Sequence, residues 1–204
     1  MLLAEDPTDP RTEADGATTL PDHSSEDRLS NYEIRTPHPA EIAALPAIEM
    51  AAAEVFPAED IPAELRREGL SRETFQTAAD EGRLFVAICL PLARPVGLAL
   101  ATLVDGSAHV HEMDVLPEHA RRGLGRALLG AVVAWAEQRG FPSVTLTTFR
   151  HLPWNAPFYA AQGFRALPDQ HLPAGLARLL AAEAEAGLDP SKRVAMRLDL
   201  ASSR

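Results

Sequence analysis

Residues 109–137, HVHEMDVLPEHARRGLGRALLGAVVAWAE, require a strand to hand over to a helix through a short basic glycine loop. Val110, Met113 and Val115 give β character, and Pro117 stops the strand. From Leu124 the apolar residues Leu124, Leu128, Ala131, Val132 and Trp135 recur at i, i+4, i+7, i+8 and i+11, which is one face of a helix. Between them lies Arg121-Arg122-Gly123-Leu124-Gly125-Arg126. The first N–H groups of a helix have no internal partner and carry the positive end of its dipole. Glycines let an anion approach those groups and the arginines add charge, so the loop is a candidate phosphate cradle. It is not a Walker loop, because no G-K-[ST] follows. Nor is it a dinucleotide fingerprint, because the position three after Gly125 is Leu128 rather than a small residue.

The rest of the chain narrows the setting. Its 204 residues suffice for one ordinary domain with additions, and 46% hydrophobic content fills a sizeable core. No apolar run reaches the ~18 residues that span a membrane. The start, Met-Leu-Leu-Ala, turns acidic at once and shows no secretory signal. The single cysteine, Cys89, lies in an apolar run and reads as a small buried hydrophobe in a reducing, cytoplasmic setting. A net charge of −10 argues against a nucleic-acid partner and makes the arginine cluster at 121, 122 and 126 more telling, as a local site for an acidic ligand.

In chain order, residues 1–30 hold eight acids against two arginines with no apolar period, which reads as a disordered acidic tail ahead of a single domain over residues 31–204. Residues 31–36 read as an edge strand stopped by Pro37. Residues 39–56 have helical spacing, with Pro46 starting or bending the helix, and residues 62–79 give a second helix. In the FPAEDIP loop between them, Asp60 reads as a cap, with an alternative in which Glu59 and Asp60 meet a substrate ammonium. Two strands follow at residues 83–90 and 95–104, then an Asp105-Gly106 hairpin turn into the strand at His109. After the long helix come a strand at residues 144–149, a short helix at 155–162, a strand at 164–167, a helix at 173–188 and an alternating strand at 193–200.

Two blocks carry a family resemblance. Val115-Leu116-Pro117 with Arg121-Arg122-Gly123-Leu124-Gly125 is similar to the acetyl-CoA-binding motif of the GNAT superfamily of N-acetyltransferases, a strand ending V-x-P, then [QR]-x-x-G-x-[GA], then a helix. The opening Gln/Arg is Ala120 here. Asn155-Ala156-Pro157-Phe158-Tyr159-Ala160-Ala161-Gln162-Gly163-Phe164 resembles the second cofactor block, a helix with F-Y-x-x-x-G-F followed by a strand, in the expected order and spacing. The resemblance implies an α+β fold in α/β/α layers, with a mixed, mostly antiparallel twisted sheet of about seven strands. It implies acetyl-CoA as cosubstrate, no metal, an amine acceptor and a possible homodimer. Main-chain groups near Met113 or Val115 would polarise the thioester, and residues 121–126 would hold the pyrophosphate. Asn155 stands four residues before the tyrosine, where many members have an asparagine at seven, a position occupied here by Leu152.

Acetyl transfer needs a deprotonated amine, a stabilised oxyanion and a proton for the departing thiolate. His109 and His111 titrate near neutrality and, by strand alternation, share a face with Met113 and Val115, leaving Glu112 on the other. The pair H-x-H, and A-P-F-Y further on, are similar to the arylalkylamine N-acetyltransferases, and His109 aligns with the catalytic glutamate of histone-type members. Either histidine, or a water chain, is the implied proton acceptor, and Tyr159 the implied acid. Ribosomal-protein members carry a base glutamate on the next strand, where this chain has Thr147. Trp154, with Phe149 and His151, is a candidate wall for the acceptor. Cys89 is far from both motifs, which favours direct transfer. A small primary amine is the first expectation for the acceptor. A lysine or N-terminus of a protein, or a coenzyme-A-binding sensor without turnover, are the alternatives.

Overall fold

The computed structural model describes residues 29–201, so all of the acidic segment except Leu29 and Ser30 lies outside the described residues. Seven strands form one sheet: β1 (Tyr32–Arg35), β2 (Leu84–Cys89), β3 (Arg94–Val104), β4 (Ser107–Val115), β5 (Ser143–Phe149), β6 (Arg165–Ala166) and β7 (Arg193–Asp199). The order is β1-β2-β3-β4-β5-β7-β6, antiparallel throughout except for the β4–β5 pair. Strand β2, second from the edge, is buried on both faces, which explains its unbroken apolar run.

Helices cover both faces. On one lie α1 (Leu45–Ala53) and α2 (Arg72–Asp80), where Ile42, Leu45, Ile48 and Phe75 pack on Leu84, Val86, Leu98 and Leu100. On the other, α3 (Leu124–Gln138) sets Leu124, Leu128, Val132 and Trp135 against Ala99, Ala101, Val110 and Val144. The short α4 (Ala156–Ala161) joins that second layer through Tyr159, and α5 (Ala174–Glu185) is tied to β5 and β7 through Glu183, which bonds Thr147 and Arg193. The expected three layers and strand count are therefore present.

Of the two readings of Pro46 the helix start holds, and one other expectation changes. Pro46 sits in the first turn of α1, where its missing N–H costs nothing, and a single 3₁₀ turn (Ile42–Ala44) precedes it. Residues 62–79 are not one helix. A 3₁₀ turn (Leu65–Arg67) stops short of Gly69, and α2 starts afresh at Ser71, whose hydroxyl accepts from the Thr74 N–H. Arg66 holds this segment open by donating to four carbonyls, those of Ala53, Phe56, Pro57 and Ile61.

The β3–β4 turn does a second job. Asp105 (φ 50°) and Gly106 (φ 74°) make the expected hairpin, and the Asp105 carboxylate accepts the Gly175 and Leu176 N–H groups at the start of α5. A hairpin aspartate thus caps a helix 70 residues away.

Candidate active site

β4 and β5 run parallel only over Ala108–Val110 and Val144–Leu146, then separate. Beyond that point β4 keeps β3 on one side and has no strand on the other. Leu116 donates its N–H to Val96 of β3, so by alternation Met113 and Val115 turn their backbone groups into the gap. The glycine loop opens at the same end. Arg121 (φ 59°) and Gly123 (φ 90°) are both left-handed, which turns successive N–H groups to one side as in an anion nest. None of the backbone N–H groups of residues 121–126 donates to a described acceptor. Arg121, Arg122 and Arg126 are exposed around it, and among the described residues only Arg122 is engaged, on the Glu118 carbonyl at 3.1 Å. A Cβ on Gly125 would touch the Phe158 ring at 3.6 Å and one on Gly123 the Leu29 side chain at 3.8 Å, both ordinary contacts without a clash. Leu124 is buried and serves as the first core anchor of α3. The base of the loop is fixed by Tyr32 Oη on His119 Nδ1 at 2.8 Å, a contact with no sequence signal.

Across the gap stands Tyr159, 8% exposed, between the Phe158 and Phe164 rings. Its hydroxyl has no hydrogen-bond partner among the described residues. Burial, with Glu112 and Asp114 nearby, pushes it above the ordinary tyrosine range, so it stays protonated. Asn155 precedes α4 and donates to Thr148 Oγ1 at 2.7 Å, while its Oδ1 is buried and unpaired. Leu152 is a core residue.

The face of β4 opposite α3 corrects the alternation read from sequence. The register of β3 against β4 shifts at Leu100/Ala101: Ala101 pairs with Val110 but Leu100 pairs with Glu112, so His111 is the extra residue of a β-bulge. The bulge reverses the parity of everything after it. Met113 and Val115 join Val110 on the α3 side, and Glu112 and Asp114 join His109 on the α1 side. His109 is 2% exposed, with Nδ1 2.9 Å from Thr145 Oγ1. Because that hydroxyl donates to the Ala108 carbonyl, His109 must donate from Nδ1 and leave Nε2 bare. Burial, with the His111 ring close by, holds His109 down to about 4. His111 opens to solvent, and its crowded surroundings and Arg83 also lower it. Both rings are therefore neutral at pH 7. Thr147 donates to Glu183, which Arg193 also clasps at 2.8 Å.

Sequence reading missed a carboxylate cluster on this face. Glu112 and Asp114 lie within hydrogen-bonding reach of each other, and Glu49 of α1 faces them. Burial and the Glu49 charge push Glu112 up to about 7, and Asp114 is driven well above the usual range by burial and by Glu112. The run E-M-D was visible, but its convergence with Glu49 needed both the bulge and the docking of α1.

A roof closes over the end of β5. Asp60 is buried, 2.6 Å from Lys192 Nζ and 3.0 Å from His151 Nε2. These bonds outweigh the upward push of burial and hold Asp60 below the usual carboxylate range. Asp60 is thus neither a helix cap nor free to meet a substrate ammonium; it is a pin between the α1–α2 loop and the start of β7. Beside it Phe56 packs at a tilt on Phe149 (5.6 Å) and edge-on against Trp154 (6.3 Å), and the Arg193 guanidinium lies 4.5 Å over Phe149. Among the described residues no group of three or more potential ligands is arranged to hold a metal, and no helix is long and apolar enough to cross a membrane.

Comparison with solved structures gives the same architecture. The ribosomal-protein-S18-alanine N-acetyltransferase of Escherichia coli superposes with a TM-score of 0.57 at 21% identity, covering 85% of this chain and 97% of that one. PaiA N-acetyltransferase of Thermoplasma acidophilum, in complex with coenzyme A, gives 0.62 at 15% identity over 83% and 99%. N-acetylglutamate synthase of Neisseria gonorrhoeae, complexed with coenzyme A and N-acetyl-glutamate, gives 0.62 at 16% identity over 83% of this chain but 35% of that one. The family model of acetyltransferases (GNAT family) matches residues 46–164, from the first turn of α1 through the glycine loop to the end of the second motif, and the chain accordingly belongs to the GNAT family of N-acetyltransferases.

Proposed function

We propose that the chain transfers an acetyl group from acetyl-CoA directly to a primary amine, and that the amine belongs to a small molecule. The observation that carries the reading is the parting of β4 and β5 after Val110 and Leu146, together with the N–H groups of residues 121–126 and the hydroxyl of Tyr159, none of which has a partner among the described residues. A pyrophosphate on the loop spends binding energy at a distance to hold a thioester in that gap. Met113 and Val115 offer main-chain donors to its carbonyl, and Arg121, Arg122 and Arg126 supply counter-charge. Gly123, Leu124 and Gly125 supply the close approach, and Asn155 flanks the channel. Support for a small acceptor comes from the roof: Arg66 and the Asp60–Lys192 bond fix the α1–α2 loop against the end of β5, where Phe56 meets Phe149, a rigid wall that suits a compact acceptor. Neutral His109 and His111 let a cationic amine approach without repulsion, and only His111 is reachable from solvent.

In this reading Tyr159 gives its proton to the departing thiolate. Tyr159→Phe lowers kcat by about 10²-fold, the lower end for a general acid, and leaves coenzyme A affinity within a few-fold. Thiol release from acetyl-CoA with a panel of amines and peptides measures the first, and titration calorimetry the second. Full kcat in the variant across pH removes the acid role. Coenzyme A binding without turnover on any acceptor favours a sensor, and turnover confined to peptides a protein acetyltransferase.

A further inference from the structure

We infer that Glu49, Glu112 and Asp114 form the pocket that receives the acceptor's ammonium group, with Glu112 the catalytic base and Asp114 the positioning residue that aims it. The inference rests on the acetyl-transfer reading above and assigns the proton acceptor that reading leaves open.

The bulge at His111 places Glu112 on the acceptor side of β4, at the edge β5 has left. The carboxylate lies in hydrogen-bonding reach of the Met113 N–H, one of the two backbone groups turned into the gap, so it sits where the reaction must occur. Glu112 is partly exposed, whereas His109 is shut in and tied to Thr145. Asp114 lies deeper, 9% exposed among Leu98, Leu100 and Leu116, and its Oδ2 is buried with no partner. An ionised carboxylate with an orphaned oxygen is costly there, while a protonated one donates to Glu112 and loses little. Asp114 therefore holds a proton and fixes the Glu112 carboxylate from behind. On the far wall Tyr159, itself nine-tenths buried, feels both acids, and its hydroxyl has no hydrogen-bond partner among the described residues. Around Glu112 the titratable and charged groups are Glu49 from α1, Asp114 from its own strand, Tyr159 from α4 and Arg193 from β7. Arg193 is already held by Glu183 and by the Phe149 ring, so the cluster keeps an excess of negative charge that suits a cation.

The proton count closes. The ammonium gives one proton to Glu112, and its lone pair forms the C–N bond at the thioester carbon. Collapse of the resulting oxyanion breaks the C–S bond, and the thiolate takes the Tyr159 proton. The nitrogen, still carrying one proton too many, returns that proton to Tyr159, and Glu112 releases its own to solvent.

The test uses acetyl-CoA with ethanolamine, phenethylamine, spermidine and an alanyl peptide as probe acceptors, between pH 6 and 9. Wild-type kcat/KM rises through about pH 7, where Glu112 loses its proton. Glu112→Gln lowers kcat by 10²-fold or more and erases that limb, with coenzyme A affinity and thermal midpoint kept. Asp114→Asn, which keeps a neutral donor in place of the protonated acid, retains the limb close to the wild-type pH; Asp114→Leu, which removes the donor, moves it higher. A merely structural aspartate would shift neither. If a probe is turned over and Glu112→Gln keeps the wild-type rate and limb, the pocket is wrong and the transferase reading survives. If coenzyme A binds and no probe is acetylated, the reading and the pocket both fall.

Discussion

Gly123→Val separates the two costs that meet at the glycine loop. Gly123 has φ 90°, a conformation that costs an L-residue about 1–2 kcal/mol. A new Cβ there would meet nothing closer than Leu29 at 3.8 Å, so packing adds no penalty and the whole effect is conformational. That cost has two possible outlets. If the loop keeps its shape, the strain appears as stability, a Tm fall of about 2–4 °C per kcal/mol for a domain of this size. If the loop relaxes, stability is spared and the aligned N–H groups are lost to the ligand. Charge-assisted bonds are worth about 1.5–3 kcal/mol each, so losing two weakens binding by about 10²–10⁴-fold. No core side chain holds residue 123, and relaxation is the expected outlet. Calorimetry with coenzyme A and a thermal scan measure both on one preparation. Unchanged affinity with unchanged Tm would refute the cradle. Gly125→Ala is the contrasting control. Gly125 has an ordinary φ inside α3, so alanine gains helix propensity of up to about 1 kcal/mol while its methyl group fills the ligand's approach. Stability should rise as affinity falls.

The roof and the remote cap give further expectations. Lys192→Met leaves the buried Asp60 carboxylate with His151 alone and lowers the urea midpoint at pH 7, whereas Asp60→Asn with Lys192→Met loses less than the two single changes together; strict additivity would mean the pair is not coupled. Asp60 is held below its unfolded pKa, so its contribution is present above about pH 4 and is lost as pH falls through the folded value; an acid titration in which Asp60→Asn behaves like wild type contradicts this. Asp105→Ala removes the cap on α5 and places alanine at φ 50°, costing about 1–3 kcal/mol in chemical denaturation, and Asp105→Asn costs less because asparagine tolerates that φ and keeps one acceptor.

What the sequence by itself determined is whatever depends on neighbours along the chain. The apolar period of residues 124–135, the stop at Pro117, the two glycines and the Asp105-Gly106 turn act within a few residues, and each appears where its spacing places it. The second motif was legible for the same reason. Tertiary structure decided which side chains meet. Strand alternation sent Glu112 away from His109 because a period of two assumes an unbroken ladder, and the bulge at His111 reversed it through pairing with β3, a partner that local sequence does not reveal. Asp60 read as a cap because Lys192 lies 132 residues away in sequence, and only the closing strand brings its ammonium to 2.6 Å. Glu49 joins Glu112 and Asp114 only once α1 docks on the sheet through Leu45 and Ile48, because a carboxylate's neighbours, and hence its affinity for a proton, are set by packing rather than by residue type.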